Sequence, residues 1–321
     1  MPGDAEWMQA AAALAARGRP LSRPNPAVGA ILVADGRVVG RGVTRPGGRP
    51  HAEAEALTMA GAAARGATLY VTLEPCAHAS ARGPACADLV TAARPARVVI
   101  GCTDPDPRTA GAGLARLRAA GITVDVLDHA GARASLAGYL LRSREGRPHV
   151  TLKLATSLDG QIALASGESR WITGPAARAH VHASRARADA ILVGGGTWRS
   201  DAPRLDVRLP GLEARSPERW VLTRGAAPDG WQAVSDITAR NAFGAAQYLY
   251  VEGGAAAAAV FLGADRVDRL MLYRAPIVIG AGLAAIGDIG LGRLADAHGH
   301  WRHVSQQVLG SDTLDIYDRL R

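Results

Sequence analysis

Two α/β domains in tandem are what this sequence predicts, on three observations. Its 321 residues exceed what one hydrophobic core usually organises and fit two domains of about 150 to 170 residues. Apolar extended runs alternate with helical ones, which implies sheets covered by helices. The segment Arg144-Glu145-Gly146-Arg147-Pro148 interrupts that alternation and reads as a linker, so the expected domains are residues 1–146 and 147–321. A 48% hydrophobic share suffices for packed cores, and the 4% aromatic share leaves them built mainly from Ala, Val and Leu.

Each element has its own warrant. Ala27 to Val33 and Arg37 to Gly42 are apolar strands joined by Asp35-Gly36, a dipeptide that favours a hairpin turn. Ala52 to Ala64 reads as a helix, with Gly66 as its C-terminal cap. Thr68 to Leu73 is a strand running into Glu74-Pro75-Cys76, where proline suggests the next helix start. Strand Arg97 to Gly101, a helix around Gly113 to Ala120, strand Ile122 to Leu127 and a helix His129 to Arg147 complete the first half. The second half opens with strand His149 to Ala155 and the turn Ser157-Leu158-Asp159-Gly160. Helix Pro175 to Arg187 carries proline in its first turn, where the missing N–H costs least. Strand Ala190 to Val193 leads into Gly194-Gly195-Gly196-Thr197, and strand Tyr248 to Val251 into Glu252-Gly253-Gly254 and the helix Ala255 to Leu262. Strands near Trp220 to Thr223, Arg269 to Tyr273, Arg302 to Val308 and Thr313 to Tyr317 fill out a mixed sheet.

The chemistry-bearing pattern is His51-Ala52-Glu53, then Pro75-Cys76, then Cys86. One imidazole and two thiols without a fourth protein ligand describe an open zinc site, as catalysis requires. Bound zinc makes water nucleophilic near neutral pH, and Glu53 is placed to shuttle the proton to a leaving amine. The zinc deaminase signature is H-x-E with P-C-x-x-C; here nine residues separate Cys76 from Cys86 instead of two. A structural zinc site or two reduced core cysteines is the plainer alternative, but a structural site would want a fourth ligand.

Composition excludes other classes. Three cysteines, two of them claimed by the metal, point to a reducing cytoplasm and away from a disulfide framework. The N-terminus lacks the basic and apolar stretches of a signal peptide, and the longest apolar run, Ala255 to Leu262, is too short to cross a bilayer. The net charge of +8 is almost wholly arginine, Lys153 being the only lysine, and it is scattered, with few aromatics interleaved. Anionic small molecules fit that field better than nucleic acid. No membrane or nucleic-acid partner is expected, and homo-oligomer formation is left open.

The two glycine-rich turns let backbone N–H groups approach phosphates, although neither matches G-x-G-x-x-G. Each alone is as readily a tight structural turn. Together with Lys153, Arg185, Asp201, Arg208 and Glu252 they form a set able to bind a dinucleotide and a phosphorylated sugar.

Longer motifs join the halves. They are Pro24-Asn25-Pro26-Ala27-Val28-Gly29, Pro50-His51-Ala52-Glu53, Thr72-Leu73-Glu74-Pro75-Cys76-Ala77-His78 and Asp104-Pro105, followed by Lys153-Leu154-Ala155, Gly167-Glu168-Ser169, Trp171-Ile172-Thr173, Asp189-Ala190-Ile191-Leu192 and Val251-Glu252-Gly253-Gly254. In that order they resemble the bifunctional riboflavin-biosynthesis deaminases/reductases of RibD type. The resemblance implies a cytidine-deaminase-like three-layer α/β/α domain followed by a dihydrofolate-reductase-like α/β domain. It implies zinc-dependent deamination of 2,5-diamino-6-ribosylamino-4(3H)-pyrimidinone 5′-phosphate, then NADPH-dependent reduction of its ribosyl group to ribityl. By motif, His51, Cys76 and Cys86 would hold Zn2+, Glu53 would transfer protons and Asn25 would hold substrate. Ala155, Trp171, Thr197, Asp201 and Gly254 would contact NADPH; Ser169, Arg185, Leu205, Arg208 and Glu252 would contact substrate. Arg185 and Arg208 suit phosphate, since guanidinium binds it bidentately, and Lys153 would orient or protonate the sugar oxygen. Arg224 is a candidate for the 2′-phosphate, with a solvated turn arginine the plainer reading.

Departures accompany the resemblance. The Cys76–Cys86 segment is one residue longer than usual, Thr44 replaces a histidine, and Asp-Pro-Asn-Pro reads Asp104-Pro105-Asp106-Pro107, whose extra carboxylate is expected to repel phosphate. The stretch from Arg208 to Glu252 is short. Two alternatives stay open: a deaminase for another base, or a zinc-stabilised scaffold beside an active reductase.

Overall fold

The computed structural model describes residues 2–78 and 80–321. The chain divides into two compact units, Met1–Gly146 and Arg147–Arg321.

In the first unit, helix α1 (Asp4–Ala15) precedes the hairpin β1 (Gly29–Ala34) and β2 (Arg37–Val43). Asp35 and Gly36 both take positive φ, 50° and 72°, as the hairpin turn requires. Helix α2 (Ala52–Ala60), β3 (Thr68–Val71), α3 (Cys86–Ala93), β4 (Arg97–Ile100), α4 (Ala112–Ala119), β5 (Thr123–Val126), α5 (Ala130–Ser135) and α6 (Ala137–Glu145) follow. The sheet order is β2-β1-β3-β4-β5, with β1 antiparallel to β2 and β3 and the rest parallel. Strand alternation sorts its two faces. Ala30, Leu32, Leu69, Val71, Val98 and Ile100 meet α2, α3, α4 and α6, whereas Ile31, Val33, Tyr70 and Val99 meet Met8 and Ala11 of α1 and Ala132 of α5. The result is the expected three-layer α/β/α sandwich.

Close approach fixes α2. A Cβ on Gly42 would lie 2.1 Å from the Ala52 carbonyl oxygen, and one on Gly40 would lie 2.2 Å from that of Ala56. Only glycine on β2 lets the helix lie this near, and so sets where its first turn points.

Several expected boundaries move. Helix α2 ends at Gly61, with φ 53°, and a 3-10 turn covers Gly61–Ala64; Gly66 instead donates its N–H to Arg94. Cys86, not Cys76, opens the next helix, because Gly83 and Pro84 keep the preceding stretch irregular. The helix expected from His129 to Arg147 breaks at Leu136, where the Ser135 hydroxyl donates to the Ala132 carbonyl and competes with the helical ladder.

The second unit contains β6 (His149–Thr156), β7 (Gln161–Ala163), α7 (Pro175–Arg185), β8 (Ala190–Gly194), α8 (Gly195–Asp201), β9 (Glu218–Leu222), β10 (Gln232–Val234), β11 (Tyr248–Val251), α9 (Ala255–Gly263), β12 (Arg269–Arg274), β13 (Leu283–Ala284), β14 (Trp301–Leu309) and β15 (Asp312–Arg319). Its main sheet runs β10-β9-β8-β11-β6-β12-β15-β14, parallel through β12 and antiparallel beyond, while β7 and β13 form a separate pair. Val150, Leu152 and Leu154 face the α9 side with Phe261, and Ile191, Val193 and Tyr273 face α7 with Val181. Between β10 and β11 the short stretch forms no helix; Ile237, Phe243 and Ala246 fill the core directly, with Phe243 edge-on to Trp220 at 5.3 Å. Among the described residues no helix is long and apolar enough to cross a membrane.

Candidate functional site

Each unit carries one site. In the first, His51 is the N-cap residue of α2, Glu53 lies in its first turn, and Cys86 begins α3. Cys76 lies on the irregular stretch after β3, and it meets His51 and Cys86 at these two helix starts, with the three ligand atoms all within 4.8 Å of one another. His51 Nδ1 lies 3.2 Å from Cys86 Sγ and 3.7 Å from Cys76 Sγ, and the Cys86 N–H donates to Cys76 Sγ at 3.3 Å. A hydrogen bond from the Cys86 thiol pulls the Cys76 thiol down to about 4, against burial, while the same bond and burial push Cys86 up. A donor set of one imidazole and two thiols, one already favouring thiolate, fits zinc and leaves a fourth position open.

Around this cluster is a pocket of about 270 Å³ lined by Asn25, His51, Glu53, Cys76 and others. Glu53 is only 3% exposed, and burial pushes its carboxyl up to about 7 despite the neighbouring His51. Asn25 Nδ2 lies 3.1 Å from His51 Nε2 and 3.2 Å from the Gly48 carbonyl oxygen, so Asn25 ties the imidazole to a loop. Glu74 has a different role. Its carboxylate accepts N–H groups from Asp104, Gly111, Gly113 and Leu114, fastening the start of α4. Thr44, in place of the expected histidine, is buried and accepts the Val28 N–H at 2.9 Å. Cys102 stands outside the cluster, its thiol donating to the Thr72 carbonyl at 3.3 Å.

The expectation of an unscreened Asp106 is corrected. Arg108 grips its carboxylate, with Nε at 3.0 Å and Nη2 at 2.5 Å, and holds the carboxyl below the usual range.

The second unit has a pocket of about 850 Å³, lined by eleven of the reductase residues named from the sequence; Arg224 is not among them. Lys153 and Ala155 project from one face of β6. Glu252 follows β11 and Gly254 caps α9; Thr197 and Asp201 lie on α8, which follows β8. β8 runs through Gly194 straight into α8, so the turn expected at Gly194–Thr197 is a helix start; since β8 and β11 are adjacent parallel strands, it lies beside the Glu252–Gly254 turn at their carboxyl ends, where open α/β sheets bind ligands. A Cβ on Gly253 would come 2.4 Å from that of Ala257, so the turn must be bare backbone. Arg224 is exposed in the turn beyond β9, the next parallel strand.

Arg185 Nε and Nη2 donate to Glu252 at 2.6 and 3.0 Å, and its Nη1 donates to the Asp206 carbonyl at 2.8 Å. Its fork is therefore engaged, which corrects the picture of Arg185 as an open phosphate clamp; Arg208, with a 53% exposed side chain, keeps a more open one. Lys153 Nζ lies 3.9 Å from Glu252 Oε2. Burial lowers the lysine pKa, helped by Arg185 and opposed by Glu252. Burial pushes Glu252 up, but the hydrogen bonds from Arg185 and the two positive charges outweigh it and hold the carboxyl low. Trp171 is 66% exposed under the Arg178 guanidinium, Leu205 is buried, and Ser169 lies on the pocket wall. Sequence reasoning missed His182, which lines this pocket with Nδ1 3.2 Å from the Asp206 carbonyl oxygen; two histidines on one helix, His180 and His182, gave no signal of which faces a site.

The family described as "Cytidine and deoxycytidylate deaminase zinc-binding region" matches residues 1–102, and the "RibD C-terminal domain" matches residues 148–247 and 242–314. Riboflavin biosynthesis protein RibD of Escherichia coli (strain K12) is 39% identical, over 92% of this chain and 94% of its own. Its counterpart in Aquifex aeolicus is 34% identical over 98% of each. Among solved structures, Acinetobacter baumannii RibD superposes with a TM-score of 0.87 at 33% identity, covering 99% of both chains. A diaminohydroxyphosphoribosylaminopyrimidine deaminase/5-amino-6-(5-phosphoribosylamino)uracil reductase from Thermotoga maritima does so with a TM-score of 0.84 at 29% identity, again over 99% of both. With relatives that match it from end to end and a metal-ligand cluster and a reductase pocket on separate units, the chain belongs to the RibD family of bifunctional deaminases/reductases of riboflavin biosynthesis.

Proposed function

We propose that residues 1–146 deaminate 2,5-diamino-6-ribosylamino-4(3H)-pyrimidinone 5′-phosphate and that residues 147–321 then reduce the ribosyl group with NADPH. The observation carrying this reading is the convergence of His51, Cys76 and Cys86 beside a buried Glu53. In the first site these three residues would hold zinc, which when bound supplies the Lewis acid that makes water nucleophilic. Glu53 Oε takes the proton from the attacking water and delivers it to the departing amine, a role suited to a carboxyl near 7. Asn25 orients the pyrimidine or ribose at the same pocket.

In the second site NADPH would supply the hydride. The Gly194–Thr197 and Glu252–Gly254 stretches would cradle its diphosphate, and Ala155, Trp171 and Asp201 would contact the rest of the cofactor. Arg224 would meet the 2′-phosphate. Ser169, Leu205 and Glu252 hold the sugar, Arg208 takes the substrate phosphate, and Arg185 fixes Glu252. Lys153 Nζ orients or protonates the sugar oxygen. Sparing use of cysteine, with two of the three at the metal cluster, supports reading the protein as cytoplasmic.

Metal analysis tests the carrying observation. Purified protein should hold about one zinc per chain. Cys76→Ser should lose most of it, whereas Cys102→Ser, outside the cluster, should not. Zinc retained after loss of both Cys76 and Cys86 would sink the assignment.

A further inference from the structure

Beyond the groups assigned to deamination, the first pocket is lined by three guanidiniums, Arg49, Arg82 and Arg108, and by two neighbouring carboxylates, the buried Asp104 and the more exposed Asp106. Arg49 donates to the Pro84 carbonyl at 3.3 Å and Arg82 to that of Gly47 at 2.8 Å. Such bonds hold the side chains in place without cancelling their charge. Arg108 is different. Its Nε lies 3.0 and 3.1 Å from the two carboxylate oxygens of Asp106, and Nη2 lies 2.5 Å from Oδ2. The Arg108 backbone N–H also donates to Asp106 Oδ1, at 2.9 Å.

That arrangement is the one a phosphate would make. A guanidinium fork recognises two oxygens of one planar or tetrahedral anion, and a carboxylate and a phosphate compete for the same donors. The pair is also accessible, with the Arg108 side chain 67% exposed and that of Asp106 19% exposed. Pairs at such exposure are held weakly, so an incoming dianion can take the place of a monoanion.

We propose that Asp106 is an internal stand-in for the substrate's 5′-phosphate: it holds the Arg108 fork until substrate enters, and the phosphate then exchanges with it. The inference rests on the deaminase reading of this pocket and specifies how the pocket reads phosphate. Arg49 and Arg82 supply the steady positive field, and Arg108 supplies the exchangeable contact. After exchange, Asp106 keeps the Arg108 backbone N–H. The acidic residue at this position therefore sets how strongly phosphorylated substrates are preferred, where a neutral amide would leave the fork open.

The readout is ammonia release from the diaminopyrimidine ribotide and from its dephosphorylated counterpart, expressed as the ratio of their kcat/KM values. Asp106→Asn frees the fork and should raise that ratio about fivefold. Arg108→Gln removes the fork and should lower it about tenfold. Asp106→Asn added to Arg108→Gln should bring no further gain, because the two substitutions act through one contact. An unchanged ratio in either single variant, or a gain from Asp106→Asn that persists without Arg108, would overturn the exchange. Wild-type protein that released no ammonia from the ribotide would overturn the deaminase reading itself, whereas an active wild type with an unaltered ratio in Arg108→Gln overturns the exchange alone.

Discussion

Glu53, Glu55 and Glu74 differ in what surrounds them, and the difference decides which can move a proton. Glu55 is paired with Arg45 at 2.6 Å, and Glu74 accepts four backbone N–H groups. Glu53 faces the pocket with its carboxyl near 7, so at neutral pH it can both take and give a proton. Glu53→Gln keeps the shape and removes that capacity. The variant should retain zinc and lose ammonia release by roughly 100-fold to 10,000-fold. Near-normal release would return the proton transfer to another group. At this scale the sequence was legible where residue type and spacing state a chemistry, as in His51, Glu53, Cys76 and Cys86. It was not legible where a partner decides: nothing in the spacing of Arg185 and Glu252, or of Asp106 and Arg108, says that each pair is closed on itself.

Elements followed the sequence where alternation or a turn dipeptide carried the signal, as in the Asp35-Gly36 hairpin and the central strands of both mixed sheets. Helix α1 escaped because its run of alanines between polar residues shows no apolar stripe until β1 and β3 bury Met8 and Ala11. The pair β7 and β13 and the strand β10 are too short to display a period. One tertiary tie also lay beyond reach of pattern. Asp268, just before β12, accepts Arg147 at 2.8 and 3.1 Å, the Val150 N–H at 2.8 Å and Arg321 at 2.6 Å, joining the first and last strands of the second unit to its centre. Burial pushes this carboxyl up, but the Arg147 hydrogen bonds and the positive charges around it hold it below its ordinary value. A carboxyl lowered on folding adds stability that is full above its unfolded pKa of about 3.9 and is lost as pH falls through the folded value. Asp268→Asn, which removes the carboxylate charge that Arg147 and Arg321 share, should destabilise the second unit by about 3 kcal/mol at pH 7. Its stability should also fall less steeply below about pH 4 than the wild type's. Denaturant titrations at both pH values check this, and equal pH slopes would show that the carboxylate does not carry the tie.

Across the whole molecule, the two units have separate cores, and a pocket in each collects the residues proposed for one chemistry. Arg208 and Asp201 line only the second pocket, and Glu53 only the first. The account therefore predicts that the two activities fail separately. The measurement that tests this most directly is NADPH oxidation by Glu53→Gln protein given, in turn, the diaminopyrimidine phosphate and its already deaminated product. NADPH should be consumed at close to the wild-type rate with the deaminated compound and hardly at all with the diamino compound. If the variant cannot oxidise NADPH with the deaminated compound either, the division of chemistry between the two units is contradicted.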